Sequence, residues 1–395
     1  MKRGSLQAAV MSAALMAGAC GAFAQEPPQL RGPADEGGGL AIGGLRLHPA
    51  LGIEALHSSN PEQSPSDPQA ALGLRLRPAL AVESEWVRHA FTAGVAGDFT
   101  RYPQGGSTRE QSLAADARLR LDVRRSTALA VEASYLTDTP PDEGDVEHTV
   151  QGRLGLSHDL GVTAVKLEAG VLRQTYADEE DAGDDAGDRD YVEPVLSLRV
   201  RHGSGMLRPF IEGEVAPRWH DEPVDPAGYH RDSQGYAVTG GFEIAADPVW
   251  SGELGLTWLH RRYQDQQLGS ASALGLAGAV AWSPTELTRI MITAATAIDD
   301  EDQEAGEGGN PVWTAGIEAS HGLRENLAVD ASLSLEIDGR GSAADLTYEG
   351  GVEMTWKLNP LLAWTAGYDL TWLDAAMSEE SYVEHRLSAG VVLSR

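Results

Sequence analysis

Residues 361–372 read LLAWTAGYDLTW. Leu362, Trp364, Ala366, Tyr368, Leu370 and Trp372 fall on one face of an extended chain; Ala363, Thr365, Gly367, Asp369 and Thr371 fall on the other. A period of two with unlike faces marks a β-strand standing between an apolar and a polar medium. Eighteen such stretches run from about Leu47 to Arg395: 46–56, 71–84, 87–101, 111–124, 127–137, 148–158, 161–176, 190–201, 207–218, 234–245, 249–263, 271–282, 285–298, 311–321, 325–338, 344–357, 361–373 and 381–394. The pattern predicts an all-β chain folded as a transmembrane antiparallel up-and-down β-barrel of about 18 strands, with 16–18 compatible with soft strand boundaries.

The connections alternate in character. Tight hinges stand at Glu85-Trp86, Arg125-Ser126, Asp159-Leu160, Asp247-Pro248, Ser283-Pro284, Leu323-Arg324 and Asn359-Pro360. Between them lie longer polar loops such as 57–70, 138–147, 178–189 and 219–233. Outer-membrane barrels have short periplasmic turns and longer outer loops, and an even strand count returns both termini to the periplasm.

Of the 395 residues, none after the N-terminus forms an apolar run of about 18, which excludes a transmembrane helix. A barrel escapes that test because only alternate residues face lipid. Residues 1–24 have the form of a secretory signal: Lys2 and Arg3, an apolar run over 8–19, and Ala22-Phe23-Ala24 as the cleavage site. The sole cysteine, Cys20, leaves with it, so no disulfide is expected. Residues 25–45 are Pro- and Gly-rich without period and are expected to be a flexible periplasmic tail. The barrel then occupies 46–395, in the outer membrane of a Gram-negative cell.

The formal charge of −29 argues against a nucleic-acid partner, which would need basic stripes. Much of the acid lies in two runs, 178–190 and 299–307. Such runs are usually solvated loops. The sharper reading is weak binding of divalent cations beside lipopolysaccharide, although neither run has the spacing of an EF-hand.

The lipid-facing set is coherent. Leu327, Val329, Ala331, Leu333, Leu335 and Ile337 share one face, as do Leu346, Tyr348, Val352, Met354 and Trp356. Aromatics recur near strand ends, at Trp86, Tyr102, Trp258, Tyr263, Trp282, Trp313, Trp356 and Trp372, and are expected to form interfacial girdles. Arg173 is out of phase with this belt.

The opposite face carries charge, which at membrane depth is tolerable only against water. Early strands direct Arg75, Arg77, Arg118, Arg120, Arg153, Lys166, Arg199 and Arg201 inward, with fewer acids, Glu83, Asp98, Asp116, Asp122, Glu132 and Glu168. Late strands direct Glu318, Asp330, Glu336, Asp345, Glu349, Glu353 and Asp369 inward, with few bases. These residues are the pore-lining candidates. Two readings stand: a transverse field from a basic wall to an acidic one, which would orient solutes and set ion selectivity, or cross-strand pairs that satisfy one another.

No catalytic constellation is present in the sequence, and none of the eleven histidines has a close partner at metal-ligand spacing. Neither an enzyme nor a cofactor is expected.

Several ordered motifs resemble a known family. They are Arg189-Asp-Tyr191, Leu207-Arg-Pro-Phe210, RDSQGY at 231–236, WLHRRYQDQQ at 258–267 and WSPTELT at 282–288, with SEWVRHA at 84–90. Taken in order, they resemble the proteobacterial outer-membrane proteins grouped as beta-barrel porin 2, most strongly over 190–298 and more weakly over 70–395. The resemblance implies an outer-membrane barrel and a barrel-assembly machinery as partner during insertion, besides membrane lipid and lipopolysaccharide. The chain departs from many outer-membrane proteins in ending Leu393-Ser394-Arg395 rather than on an aromatic residue. The leading expectation is a porin-like channel for passive diffusion of small hydrophilic solutes. The second is the outer barrel of an exopolysaccharide secretion system, with polysaccharide-export proteins as partners.

Overall fold

The structure is a computed structural model that describes residues 39–103, 109–139, 145–178, 189–225, 228–246, 249–299, 308–340, 343–376 and 380–395. The signal peptide and the acidic runs, apart from Asp178, Arg189, Asp190 and Asp299, lie outside them. The strands are β1 (Leu40–Ile42), β2 (Leu45–Ser58), β3 (Ala71–Ser84), β4 (Ala90–Arg101), β5 (Arg109–Arg124), β6 (Thr127–Thr139), β7 (Asp145–Leu160), β8 (Thr163–Asp178), β9 (Tyr191–His202), β10 (Leu207–His220), β11 (Ser233–Ala246), β12 (Trp250–Tyr263), β13 (Ser270–Thr285), β14 (Thr288–Asp299), β15 (Asn310–Arg324), β16 (Leu327–Arg340), β17 (Ala343–Asn359), β18 (Leu362–Asp374) and β19 (Tyr382–Ser394). Each of β2 to β19 pairs antiparallel with its neighbours in sequence, and β19 pairs with β2. The result is a closed 18-stranded barrel, strand for strand the one that the alternation predicts.

Closure leaves no free edge in a barrel only if the two terminal strands pair along their whole length. Here they are offset. β3 covers one edge of β2 from Leu45 to Ser58, but β19 covers the other only from Ala50 to Ser58. β1 takes the remainder: Leu40 pairs with Leu47, Ala41 with Arg46 and Ile42 with Leu45. The Arg395 N–H donates to the Pro49 carbonyl at 3.1 Å, between the two pairings. The last residues of the expected tail are therefore a strand, turned back at Gly43 and Gly44 with φ of 58° and 86°. The tail's residues before 39 lie outside the described residues.

Two hinges sit two or three residues later than the sequence suggests, at Glu286–Leu287 and Glu325–Asn326. In both hairpins a register shift intervenes, Trp282/Thr285 and Gly322/Arg324, and the extra residue delays the turn. The hinge expected at Asp159-Leu160 falls instead at Gly161–Val162, where Gly161 supplies a φ of 81°.

The two faces separate as the period demands. Trp364, Tyr368 and Trp372 of β18 are exposed on the outside, while Ala363, Thr365 and Leu373 are buried. Trp86, Trp258, Trp282 and Trp356 are likewise exposed, and Trp313 shares the outward phase of Ile317 and Leu323. Two pairs stack flat across neighbouring strands, Trp250 with Trp282 and Tyr348 with Trp372. Tyr102 and Tyr263 are corrections. They are 1% and 3% exposed and belong to the inner face. Both lie near strand ends, but Tyr102 is in phase with lumen-facing Thr100, and Tyr263 with Arg261 and Thr257. Phase, not nearness to a strand end, decides the side. Arg173 does lie on the outer face, at the loop end, where it donates to Asp221 at 2.7 Å and to Asp190 at 3.4 Å.

The histidines, scattered in sequence, are ordered in space. His158, His202 and His321 sit on the outer face at the turn end, with Nδ1 2.9, 2.9 and 2.8 Å from Oγ1 of Thr127, Thr163 and Thr288. At the loop end His148, His260 and His385 do the same with Tyr135, Ser272 and Tyr368, at 3.1, 2.8 and 2.9 Å. Each ring is fixed at one nitrogen by a hydroxyl on the next strand.

Candidate functional site: the charged lining of the barrel

A barrel of about 18 strands is wide enough to keep water inside, so the inner face is the candidate site. On the wall from β3 to β9 each expected base is held by an acid or an amide. Arg75 donates to Asp98 at 2.8 Å, and Arg77 pairs with Glu54 and reaches Glu353 at 3.4 Å. Arg118 pairs with Glu132 at 2.7 Å, Arg120 with Asp122 at 3.0 Å and Lys166 with Glu168 at 2.8 Å. Arg199 pairs with Glu253 at 2.6 Å and lies over the Phe210 ring at 3.7 Å; Arg201 pairs with Glu243 at 2.9 Å. Arg153 donates to the Gln151 amide oxygen at 2.8 Å.

Of the acids that compensate this wall, Asp98, Asp122, Glu132, Glu168 and Glu353 are ones whose inward side alternation gives, while Glu54, Glu243 and Glu253 are not among the expected lining. Glu54 of β2 is 1% exposed and also accepts from Thr365 of β18 at 3.2 Å. Glu193 of β9 holds both Arg218 of β10 and Arg261 of β12, each at 2.9 Å. Arg386 of β19 joins Glu384 and Glu110 at 3.1 and 2.8 Å. Their inward phase was available from alternation: Glu193, Glu212, Glu243 and Glu253 all keep the phase of their strands' buried residues. Their partners were not, because pairs such as Glu193–Arg261 skip two strands and depend on how the wall curves.

The wall from β15 to β18 differs. Among the described residues, Glu318, Asp330, Glu336, Glu349 and Asp369 have no basic side chain within 4.0 Å. Asp345 accepts from the Ala376 N–H at 2.7 Å, and Glu353 meets a base, Arg77, at 3.4 Å. Between the acids stand small residues: Ser332, Ser334, Gly351 and Thr371 line a recess of about 170 Å³ together with Glu349, Asp369, Arg75, Glu384 and Arg386. The two walls thus do not oppose a positive field to a negative one. One wall is neutralised and the other is left negative.

The inner face of β13 is a third surface, with Ala271, Ala273, Gly275, Ala277, Ala279 and Ala281 in line and no charge. Beside it the wall turns sharply. Gly252 and Gly278 have φ of 134° and 146°, and a Cβ on either would stand 2.1 and 2.3 Å from a carbonyl oxygen of the facing strand. Only glycine permits that approach.

A family model described as "Putative beta-barrel porin 2" matches residues 33–395. Among solved structures the chain is similar to OccAB3 from Acinetobacter baumannii, with a TM-score of 0.44 and 9% identity over 90% of this chain and 100% of that one. It is also similar to the siderophore receptor PirA from Pseudomonas aeruginosa, with a TM-score of 0.41 and 10% identity over 89% of this chain and 80% of that one. No curated protein matches it.

Proposed function

The chain belongs to the family described as "Putative beta-barrel porin 2" and is a porin-like barrel of a Gram-negative outer membrane; we propose that it passes small hydrophilic solutes by passive diffusion and prefers cations. One observation carries this reading, the uneven compensation of the lining. A base within a few ångströms of an acid cancels its field beyond a Debye length, about 8 Å at physiological salt. The wall from β3 to β9 is cancelled in this way. The carboxylates of Glu318, Asp330, Glu336, Glu349 and Asp369 have no base that close among the described residues, so a mobile cation gains from them and an anion is repelled. At an effective dielectric of about 20, a charge 4 Å from one of them gains about 4 kcal/mol, several times thermal energy.

Planar-bilayer recording tests this. The purified protein in a KCl gradient should show stable open steps with a reversal potential on the cation side. Asp330→Asn combined with Glu336→Gln should move that potential toward zero. A silent protein, or one that selects anions, would overturn the reading.

A further inference from the structure

The recess on the acidic wall has a more specific shape than a charged surface. Ser332, Gly351, Asp369 and Arg386 are successive register partners across β16, β17, β18 and β19. Ser334, Glu349, Thr371 and Glu384 form the adjoining rung. All of them keep the inward phase, and together they surround the recess of about 170 Å³, which has room for a small molecule rather than one water.

Gly351 makes the space. A Cβ there would stand 2.9 Å from Asp369 Oδ1 and 3.0 Å from Ser332 Oγ. Its absence lets a carboxylate from one neighbouring strand and a hydroxyl from the other lean over the same bare stretch of β17. The charges at the margin are already spent: Arg75 is held by Asp98, and Arg386 by Glu110 and Glu384. Glu349 and Asp369 are the carboxylates of the recess with no base within 4.0 Å among the described residues.

We infer that this recess is a binding station for a small solute carrying a primary ammonium group. An ammonium has three N–H donors arranged around one charge and no acceptor. The recess offers acceptors from three strands, the carboxylates of Glu349 and Asp369 and the hydroxyl of Ser332. Ser334 and Thr371 remain for a polar substituent of the solute. A quaternary ammonium has the charge but not the donors, and a neutral sugar has neither the charge nor the three-fold donor set. The inference rests on the cation-preferring channel and names the class of solute that the channel would hold.

The test uses the full protein in planar bilayers carrying a K⁺ current, with ethanolammonium as probe and tetramethylammonium as control. Ethanolammonium should block transiently and saturably. Tetramethylammonium should block at least about tenfold less well, since it makes no charge-assisted hydrogen bond. Glu349→Gln and Asp369→Asn should each raise the half-blocking concentration of ethanolammonium about tenfold. Gly351→Ala, which fills the cradle and keeps every charge, should do the same. Glu286→Gln, in the turn after β13 and outside the lining, should leave the block unchanged. Equal block by both cations, or block unaffected by the recess variants, overturns the station. Should the protein prove silent in KCl, the channel reading falls by itself. Calorimetric titration of the detergent-solubilised protein with ethanolammonium then decides the station: binding lost in Glu349→Gln supports it, and no binding refutes it.

Discussion

Arg386 on β19 donates to Glu110 on β5 at 2.8 Å, although β2, β3 and β4 stand between their strands. The pair therefore crosses the inside of the seam at which the two ends of the barrel meet. Around it Glu384 accepts from Ser58 at 2.6 Å, and Glu54 receives Arg77 and Thr365. The closure of β2 on β19 has nine register pairs, from Arg386↔Ser58 to Ser394↔Ala50, and this network braces it from within. In both Arg386–Glu110 and Arg77–Glu353 a guanidinium spans strands that do not touch.

Removing the strut should both loosen the seam and widen the lumen. Arg386→Met leaves Glu110 and nearly buried Glu384 without their base, and breaking such a pair costs about 3 kcal/mol. We expect a lower midpoint of thermal unfolding in detergent and a larger single-channel conductance. An unchanged conductance would mean that the strut lies outside the narrowest part of the path.

The glycine corner is a matter of backbone rather than charge. Gly252→Val should fail to fold, because a Cβ at that position would stand 2.1 Å from the Ala279 carbonyl oxygen at a φ of 134°. Each strained residue costs about 1–3 kcal/mol even where its neighbours yield. Gly213, where a Cβ would meet nothing within 4 Å, is the control. Gly213→Ala should migrate as the wild type does on an unheated gel, and Gly252→Val should run as the unfolded form.

β1 makes a further prediction. It occupies Leu45–Leu47 on the edge of β2, and Arg395 binds Pro49 just beyond. It therefore limits how far β19 can slide toward the turn end. A one-residue slip would turn every side chain of β19 to the wrong medium. Ile42→Pro removes a donor from the short ladder and should expose Leu45–Leu47 to amide exchange. Exchange in Leu51–Ser58, covered by β19, should stay slow. Protection unchanged at Leu45–Leu47 would refute the role of β1.

Much of the architecture is legible because a barrel wall repeats one rule. Alternation fixes which side chains of β16 and β17 face lipid, and the short hinges mark where the chain reverses. Tyr102 and Tyr263 depart from the girdle because nearness to a strand end does not by itself fix which face a ring takes. β1 escaped because three residues, Leu40–Ile42, are too few to show a period. The charge lining was only half legible. Sequence gives the sign and side of Arg77 or Arg199, but neutralisation depends on which acid the curvature brings near. Glu54 and Glu193 act across strands that no local pattern connects.

Outside the membrane, Arg173 holds two loop-end carboxylates of opposite behaviour. Its hydrogen bond, at 2.7 Å, keeps the Asp221 carboxyl below the usual range. Burial pushes Asp190 upward, against a hydrogen bond from the Tyr176 N–H and the charge of Arg173. A carboxyl with a lowered pKa in the folded state stabilises it fully above its unfolded value, about 3.9 for Asp, and loses that contribution as pH falls through the folded value. Asp190, raised, takes up its proton first, so the contact with Asp221 should outlast the one with Asp190. Proteolysis of the segment 221–232 by an acid-stable protease should stay slow down to about pH 3.9 and accelerate only below it. Asp221→Asn should remove that acid transition, and Asp190→Asn should leave it in place. An acid transition that survives Asp221→Asn would show that this pair does not hold the loop.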